Sequence, residues 1–513
     1  MPFIDLDRVE LPFSGEEFDH VIVGSGAVGI MMGVELSRKG KKVLMLESGR
    51  FGEHQDRQVD NEVVQTGKRL ENAVWGRKRA VGGTTIAWGG QSLPFRAVDF
   101  CRRDWVSDSG WPISFHDLSA YYTPANAFMQ IDGLDYHDEI FRMFGLRKPA
   151  FDRAVDFHFS KWAPEPDFTK VYARALKQDL PVVFNAMLTR LITDGNGSIS
   201  EVEISNHAGR RNVLKVNQLL LATGGIESNR ILLNSRDLNG SVIGDHSGWL
   251  GRGFMDHPCI ATGKLRANHA YAFQQLFNTN IRGGRKYSKR LSLSESFQTE
   301  RQLLNASASL MFSYPEEEFD PYQEILSLRN RRMPNLLKVI RHADTYALAA
   351  RGYLLDRFVY KHRAEATLIM MLEQEPLRSS RISLADQSDR FGLQKASIHW
   401  DISHKTWESM ITLSDRLGAD FTRLGLGTYI PYAHIRMDND GWMDHLSDVN
   451  HHMGGTRMSA VASEGVVDPD LRVWGYNNLY VMSASVFPTS SHSNPTLTLL
   501  ALCQKWLKEQ VRP

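Results

Sequence analysis

Two short polar segments near the C-terminus hold side chains that could move a proton. HHMGGTRMS (451–459) has two adjacent histidines, and SSHSNPTLTLL (490–500) places His492 beside Asn494. An imidazole titrates near neutrality and can accept a proton, whereas a carboxamide can hydrogen-bond the same oxygen without competing for that proton. Each group also has a purely structural interpretation, because loop histidines are often structural and asparagine commonly caps a helix.

The residues after Asn494 predict a buried helix that would position the second segment. Asn494 is a suitable N-cap, Pro495 suits the first helical position because its missing N–H is not needed there, and a leucine-rich run follows. Asn494 cannot cap the N–H of Thr496 and contact a ligand in one rotamer. We expect the Asn494 side chain to contact the ligand, so that water or the Ser493 backbone caps the helix.

A dinucleotide-binding pattern opens the chain at FDHVIVGSGAVGIMMGVELSRKGKKVLMLESGR (18–50). Three glycines in GxGxxG spacing lie between a predicted strand and a predicted helix, where they allow a tight turn, a close approach to a pyrophosphate and close helix packing. An acid about 20 residues further on, at the end of a second strand, is placed to bind a ribose diol. The position of the motif, with most of the chain after it, favours FAD over NAD. The expected cofactor contacts here are Gly24, Gly26, Ala27, Gly29, Glu47 and Ser48.

Two further segments are predicted to contact the same cofactor. AVGGTTIAWGGQS (80–92) brackets a tryptophan with two glycine pairs, and because an exposed tryptophan in a surface loop is unusual, we expect this backbone to lie against a planar ring. LLLATGG (219–225) would end a returning strand at the crevice where ligands bind in such sheets. The expected contacts are Gly82, Gly83, Thr84, Trp88, Gly89, Gly90, Ala222, Thr223 and Gly224.

Seven segments in this order make the chain resemble the glucose–methanol–choline (GMC) family of flavin oxidoreductases. Besides the two glycine motifs they are LLLATGGIESNRILL (219–233), LGRGFMDHP (250–258), EQEPLRSSRISL (373–384), HHMGGTRMS and NNLYVMSASVFPTSSHSNPTLTLLAL (477–502). The HxMG and NPTLT motifs are most similar to those of the branch that contains pyranose oxidases and bacterial sugar dehydrogenases. The resemblance implies an α/β fold: a Rossmann-type FAD-binding domain, with a parallel sheet and a β-meander, and a second α+β substrate-binding domain around an antiparallel sheet.

The same resemblance implies a reaction and roles for the polar C-terminal segments. We expect FAD-dependent oxidation of a primary or secondary alcohol, such as a sugar, glycoside or polyol, with O₂, a quinone or a redox protein as electron acceptor. His451 would be the base and Asn494 the orienting group, while the helix N-terminus would face the flavin pyrimidine edge. Further expected cofactor contacts are Ser485, Pro495 and Thr496, and His452 and His492 are lesser candidates for substrate contact. No metal is expected.

Two departures from the family pattern concern the cofactor. Some relatives bond their flavin covalently to a histidine in the second glycine loop, but the matching residue here is Ala87, so the FAD is expected to be held non-covalently. Many relatives also have an aspartate where this chain has Ser483. One cofactor hydrogen bond is therefore expected to be weaker or supplied by another group.

The chain is long enough for two domains, and the resemblance suggests how they interleave. Residues 321–365 are predicted to be a helical insert in which nine Lys and Arg face four acids. Such a run is usually a solvated face, and a subunit contact, a lid or a docking surface for an electron acceptor stays open. The predicted ranges are 1–110, 181–264 and 445–513 for the FAD-binding domain, 111–180 for a connecting segment and FAD lid that also contributes to the substrate domain, and 265–444 for the substrate-binding domain.

Composition excludes several classes of partner. Sixty Lys and Arg nearly cancel 59 Asp and Glu, so no net field favours nucleic acid or an anionic membrane. The three cysteines, far apart, indicate neither a disulfide framework nor a metal site. No segment is long and apolar enough to span a bilayer, and the acidic N-terminus does not match a signal peptide, so a cytoplasmic protein is expected, with oligomerisation open.

Two other functions compete with alcohol oxidation. A flavin-dependent monooxygenase or tailoring enzyme of a biosynthetic pathway would share the dinucleotide motif but would need NAD(P)H as reductant. A flavin-binding partner protein without turnover would not need the His451 and Asn494 pair.

Overall fold

A parallel sheet lies at the centre of the first domain in the computed structural model, which describes residues 3–13, 15–314, 340, 342–437 and 440–511. Its strands are short, buried apolar runs, as expected where helices cover both faces. They are β1 (Phe3–Asp5), β2 (His20–Val23), β3 (Val43–Leu46), β7 (Val182–Phe184), β11 (Gln218–Leu221) and β20 (Leu479–Val481). The six strands pair in the order β1-β7-β3-β2-β11-β20, all in parallel.

Three helices that follow strands of this sheet, the last of them after a loop, determine where the site forms. They are α1 (Ala27–Arg38) after β2, α9 (Gly224–Asn234) after β11 and α14 (Pro495–Glu509) after β20. Helices α1 and α14 pack against one another. Because all three strands run the same way, the N-termini of the three helices gather at one edge of the sheet.

The segment between β7 and β11 forms the predicted β-meander. Its strands are β8 (Met187–Thr193), β9 (Ile199–Ser205) and β10 (Arg211–Lys215). They pair as an antiparallel sheet in the order β10-β9-β8 before β11 rejoins the parallel sheet.

The second domain is built on an eight-stranded sheet whose strands come from distant parts of the chain. They are β5 (Gln91–Ser92), β6 (Val155–Trp162), β12 (Cys259–Ala267), β13 (Asn280–Arg282), β14 (Arg285–Leu293), β15 (Ala306–Ser313), β16 (Glu365–Leu372) and β19 (Gly427–Pro431). The order is β19-β12-β16-β15-β14-β6-β5, with β13 beside β14. One face is apolar and packs on α13 (His404–Arg423), whose buried side includes Met410, Leu413 and Phe421.

Two expectations about this domain need correction in detail. The boundary predicted after residue 264 falls inside β12, whose register with β16 runs from Cys259, so the second domain begins before that strand. The range 265–444, predicted for a domain around one antiparallel sheet, also includes two strands near residue 381 that join a separate sheet. That sheet consists of β4 (Val64–Gly67), β17 (Arg381–Ser388) and β18 (Gln394–Trp400) in the order β17-β18-β4.

The remaining helices are short and connect these layers. They are α2 (Gln55–Gln58), α3 (Ala97–Phe100), α4 (Phe115–Ser119), α5 (Tyr122–Phe128), α6 (Asp138–Met143), α7 (Phe168–Val171), α8 (Ala173–Gln178), α10 (Ala270–Phe277), α11 (Glu295–Arg301) and α12 (Ala343–Leu354). The predicted insert 321–365 is helical at α12, and its part before residue 340 lies outside the described residues. None of the helices formed by described residues has the length and apolar composition needed to cross a membrane.

Candidate active site

A cavity of about 630 Å³ lies at the edge of the parallel sheet where the three helix N-termini meet. The structure brings together there most of the residues predicted from sequence. Those that line the cavity are Gly24, Gly26, Ala27, Glu47, Ser48, Gly83, Thr84, Trp88, Gly89, Gly90, Ala222, Thr223, Gly224, His451, His452, Asn494, Pro495 and Thr496.

The turn between β2 and α1 has the shape that a diphosphate requires. Gly24 adopts φ +97°, and a Cβ on Gly29 would lie 1.9 Å from the Gly24 carbonyl oxygen, so helix and turn are packed as closely as backbone allows. A Cβ on Gly26 would meet no atom within 4 Å, which leaves the cavity open along this backbone. The unpaired N–H groups at the start of α1 then favour an anion.

Glu47 comes directly after β3 and reaches this turn. Its carboxylate accepts hydrogen bonds from the Ser25 N–H (3.0 Å), the Ser25 hydroxyl (2.7 Å) and the Gly49 N–H (2.8 Å). It is buried yet lines the cavity, and a carboxylate has about four acceptor positions. The Ser48 hydroxyl makes the fourth and longest of its hydrogen bonds, at 3.4 Å. Glu47 therefore supports the glycine turn, and a ribose hydroxyl would take the place of that long bond.

His451 and Asn494 meet at the other end of the cavity. The Asn494 Nδ2 atom lies 3.2 Å from His451 Nε2. Asn494 precedes α14 as its N-cap residue, but its side chain makes no capping hydrogen bond, as expected if that amide serves the cavity. The N-terminus of α14 adds Pro495 and Thr496 to the lining.

A second histidine, His257, fixes the tautomer of His451 through a hydrogen-bonded chain. His257 Nε2 lies 3.0 Å from the Ser490 carbonyl oxygen, and His257 Nδ1 lies 2.8 Å from His451 Nδ1. A carbonyl only accepts, so His257 Nε2 carries the hydrogen, and burial lowers the pKa of His257 to about 4. Neutral His257 must then accept from His451 Nδ1–H, which leaves the lone pair of His451 Nε2 facing Asn494.

The backbone around both histidines is held by Asp256. Its Oδ1 accepts from the N–H of His257 (2.6 Å) and from the N–H of His451 (3.0 Å). Burial, assisted by the charge of Asp448, raises the pKa of Asp256 to about 8. The carboxyl is therefore protonated at neutral pH, and it fixes the two loops without placing a negative charge beside His451.

His452 packs into the protein on the far side of Asp256. Its ring stacks on Phe254 with centroids 6.1 Å apart, and its Nε2 lies 3.7 Å from Asp256 Oδ2. Ligand atoms of Asp256, Asp448 and His452 all lie within 4.8 Å of one another. Asp256 Oδ2, Asp448 Oδ2 and His452 Nε2 make no hydrogen bond among the described residues, and the expectation of no metal stays a prediction.

Four residues predicted for the site do not line the cavity. Gly29 lies behind Gly24 and Gly82 behind the second loop, where the Gly82 N–H donates to the Ser25 hydroxyl (3.2 Å). Ser485 is fully buried and accepts from Thr456 (2.6 Å), and Ser483 and Ala484 line the cavity instead. His492 is buried against the second domain.

Sequence reasoning missed the basic segment before the second glycine loop. Trp75, Gly76, Arg77, Lys78 and Arg79 line the cavity. Arg77 and Arg79 each form an ion pair at 3.1 Å with Glu227, at the start of α9. The run WGRKR, separated by two residues from the glycine pair of the second loop, was the available signal, because arginines beside a phosphate-binding turn commonly bind an anion.

A glycine turn on a parallel sheet, joined in one cavity to an imidazole and an amide, defines a dinucleotide-dependent oxidoreductase. The family model described as GMC oxidoreductase matches residues 376–503. Over these residues the chain is similar to the GMC oxidoreductases, a family whose cofactor is FAD.

Individual relatives extend this likeness over nearly the whole chain. The large subunit of fructose dehydrogenase from Gluconobacter japonicus is 21% identical over 94% of this chain and 96% of its own length. C-glycoside 3-oxidase from Microbacterium trichothecenolyticum is 32% identical over 24% of this chain and 23% of its own. The crystal structure of pyridoxine 4-oxidase from Mesorbium loti shares the fold, with a TM-score of 0.58, 16% identity and coverage of 96% and 99%.

Proposed function

We propose that this enzyme oxidises an alcohol group of a sugar or polyol to a carbonyl, with His451 as the base. The observation that supports this most directly is the unprotonated Nε2 of His451, 3.2 Å from the Asn494 amide at the cavity wall. Relatives named for fructose and for C-glycosides support the sugar class. The electrons would then pass from the flavin to O₂, a quinone or a redox protein.

In this reaction the chain accepts the proton of the substrate hydroxyl and binds the hydroxyl oxygen. A substrate hydroxyl that contacts both side chains from the cavity gives its proton to His451 Nε2, while the Asn494 N–H donates to the same oxygen. His451 then carries a positive charge, and its Nδ1–H still donates to His257. FAD, when bound, supplies the hydride acceptor.

The residues present fit non-covalent FAD. The open backbone at Gly26, the carboxylate of Glu47 and the basic segment before residue 80 suit a diphosphate and a ribose, and Ala87 has no nucleophile. Acid precipitation of the purified enzyme is therefore expected to release all flavin into the supernatant. Yellow colour retained in the precipitate would show a covalent bond elsewhere.

Anaerobic mixing of the purified enzyme with a panel of sugars and polyols tests the proposed function. We expect one class of alcohol to bleach the flavin absorbance. Bleaching by NADPH, with no response to any alcohol, would instead support a monooxygenase or tailoring enzyme. A bound flavin that neither class reduces would support a partner protein without turnover.

The acid limb of the pH profile follows from the environment of His451. Burial first, then the neighbouring side chains of His257, His452 and Arg290, lowers the pKa of His451 well below 6.5, and the Asp256 carboxyl beside it is protonated. A lowered pKa keeps the base unprotonated to lower pH. We therefore expect kcat/KM to stay level from pH 8 down through 6.5. An acid limb centred near pH 7 would contradict the assignment.

His257 is predicted to be a positioning residue that keeps the lone pair of His451 aimed at the alcohol. We expect His257→Leu to slow flavin reduction about 100-fold with FAD content unchanged, because His451 then loses its tautomer control. His257→Asn should recover part of the rate, since its amide oxygen can accept from His451 Nδ1 and its NH₂ can donate to Ser490. Equal rates in the two variants would mean that His257 only fills space.

A further inference from the structure

The eight-stranded sheet has a polar face that is turned away from α13. In the register of β6 and β14, His158 pairs with Arg290, Ser160 with Ser288 and Asp156 with Ser292, and Ser292 pairs with Ser307 of β15. Paired residues lie on the same face, and alternate residues such as Phe157, Phe159 and Leu291 form the apolar face. Polar side chains on a buried face of a sheet need hydrogen-bonding or charged groups opposite them.

This polar face looks toward the catalytic loops. The His158 ring lies 5.7 Å from the ring of His492, edge to face, and His492 stands two residues before Asn494. His158 is held in place by its Nε2, 2.9 Å from the Ser292 hydroxyl. The sheet therefore forms a wall beside the loop that carries the Asn494 amide.

Arg290 on this wall has no counterion. Within the described part of the chain its guanidinium makes no hydrogen bond or ion pair, although only 9% of the residue is exposed. Other buried arginines here are paired, as Arg103 is with Glu373 and Arg230 with Asp389. The acid on the same face, Asp156, is engaged by Arg96 at 3.6 Å. Burying an unpaired charge is costly, so such a group usually meets an anion when its site is filled.

A neighbouring side chain is also left without partners. Both ring nitrogens of His492 are buried and make no hydrogen bond among the described residues. The same face of the sheet reaches the cavity, because Trp162, four residues along β6 from His158, lines it. The charge of Arg290 also contributes, after burial, to lowering the pKa of His451, His257 and His492. Burial keeps the pKa of His492 well below 6.5, so the wall offers one positive charge and one neutral hydrogen-bonding ring.

We propose that Arg290, with His492, binds a carboxylate on the part of the alcohol substrate that extends past Asn494, beyond the cavity lining described above, so that the enzyme prefers a hydroxy acid or an acidic sugar to its neutral counterpart. One planar guanidinium matches one planar, singly charged carboxylate, whereas a phosphate dianion would call for more charge. This inference rests on the proposed function, because it places the carboxylate on the molecule that His451 deprotonates.

Matched pairs of substrates test the proposal in the FAD-loaded enzyme. D-glucuronate is compared with D-glucose, and D-gluconate with D-glucitol, by the rate and half-saturation of anaerobic flavin bleaching. We expect the acid of at least one pair to be preferred about tenfold or more, and Arg290→Gln to remove about 100-fold from the acid while changing the neutral partner little. Arg236→Gln is the control, because Arg236 is exposed and bonds only backbone carbonyls. A neutral preference that Arg290→Gln leaves unchanged would overturn the proposal.

A binding measurement separates failure of this proposal from failure of the proposed function. Acetate, which cannot be oxidised as an alcohol, is titrated into each variant while the visible flavin spectrum is recorded. We expect a saturable spectral change in the wild type and in Arg236→Gln, loss of that change in Arg290→Gln, and partial return in Arg290→Lys. No acetate binding in the wild type would overturn the carboxylate site even if neutral sugars bleach the flavin. Acetate binding that depends on Arg290 would support it even if no sugar in the panel reacts.

Discussion

His451→Ala is expected to slow flavin reduction about 1000-fold, which is the usual contribution of a well-placed general base. The Nε2 lone pair of His451 is the group that receives the hydroxyl proton, and alanine leaves the Asn494 amide with nothing that can accept it. FAD should stay bound, because the phosphate turn lies at the other end of the cavity. Anaerobic stopped-flow mixing with the best substrate of the sugar panel measures the rate directly.

Two further variants show whether His451→Ala is slow because proton transfer is lost or because a side chain is missing from the cavity. His451→Gln can still hydrogen-bond the alcohol but cannot hold its proton, so we expect it to bind substrate better than His451→Ala and to reduce as slowly. His116→Ala, at an exposed histidine of α4, controls for the loss of an imidazole and should react like the wild type. Reduction by His451→Ala within about threefold of wild type would place the base elsewhere.

The parts of the structure that sequence predicted well are those encoded locally. Strand β2, the glycine turn, α1 and the acid after β3 all lie within residues 18–50, and their spacing alone determines how the turn meets the helix. The start of α14 is similarly local, because Asn494 and Pro495 mark a helix N-terminus by their own chemistry. The resemblance to a family supplied the pairing of His451 with Asn494, which no local rule provides.

The parts that sequence could not predict depend on distant contacts or on irregular backbone. His257 touches His451 across 194 residues, and nothing near either residue signals that contact. Sequence alone could not show that Arg290 lacks a counterion, because the strand register determines which residues lie on the same face of the sheet as Arg290. Ser485 was placed in the cavity although Ser483 and Ala484 line it, because a loop with one turn of 3₁₀ helix has no fixed period that sequence reasoning could follow.

Gly26→Ala is expected to weaken FAD binding about 100-fold while the protein folds normally. Its backbone has φ −72°, which alanine adopts freely, and the added methyl group would meet no protein atom within 4 Å. The methyl group would instead occupy the cavity beside the N-terminus of α1, where the diphosphate is proposed to lie. Titration of the apoprotein with FAD, followed by fluorescence quenching, gives the dissociation constant, and far-UV circular dichroism checks the fold.

Two other glycines make the result specific to the cofactor. Gly133→Ala adds a methyl group at an exposed position that also has no atom within 4 Å, and it should leave both fold and FAD affinity unchanged. Gly29→Ala would force its methyl group to 1.9 Å from the Gly24 carbonyl oxygen, so it should lose stability as well as FAD. If the Gly26→Ala enzyme is purified with a full complement of FAD, the space beside Gly26 must be free when the cofactor is bound. That result would show that the FAD does not lie along this backbone.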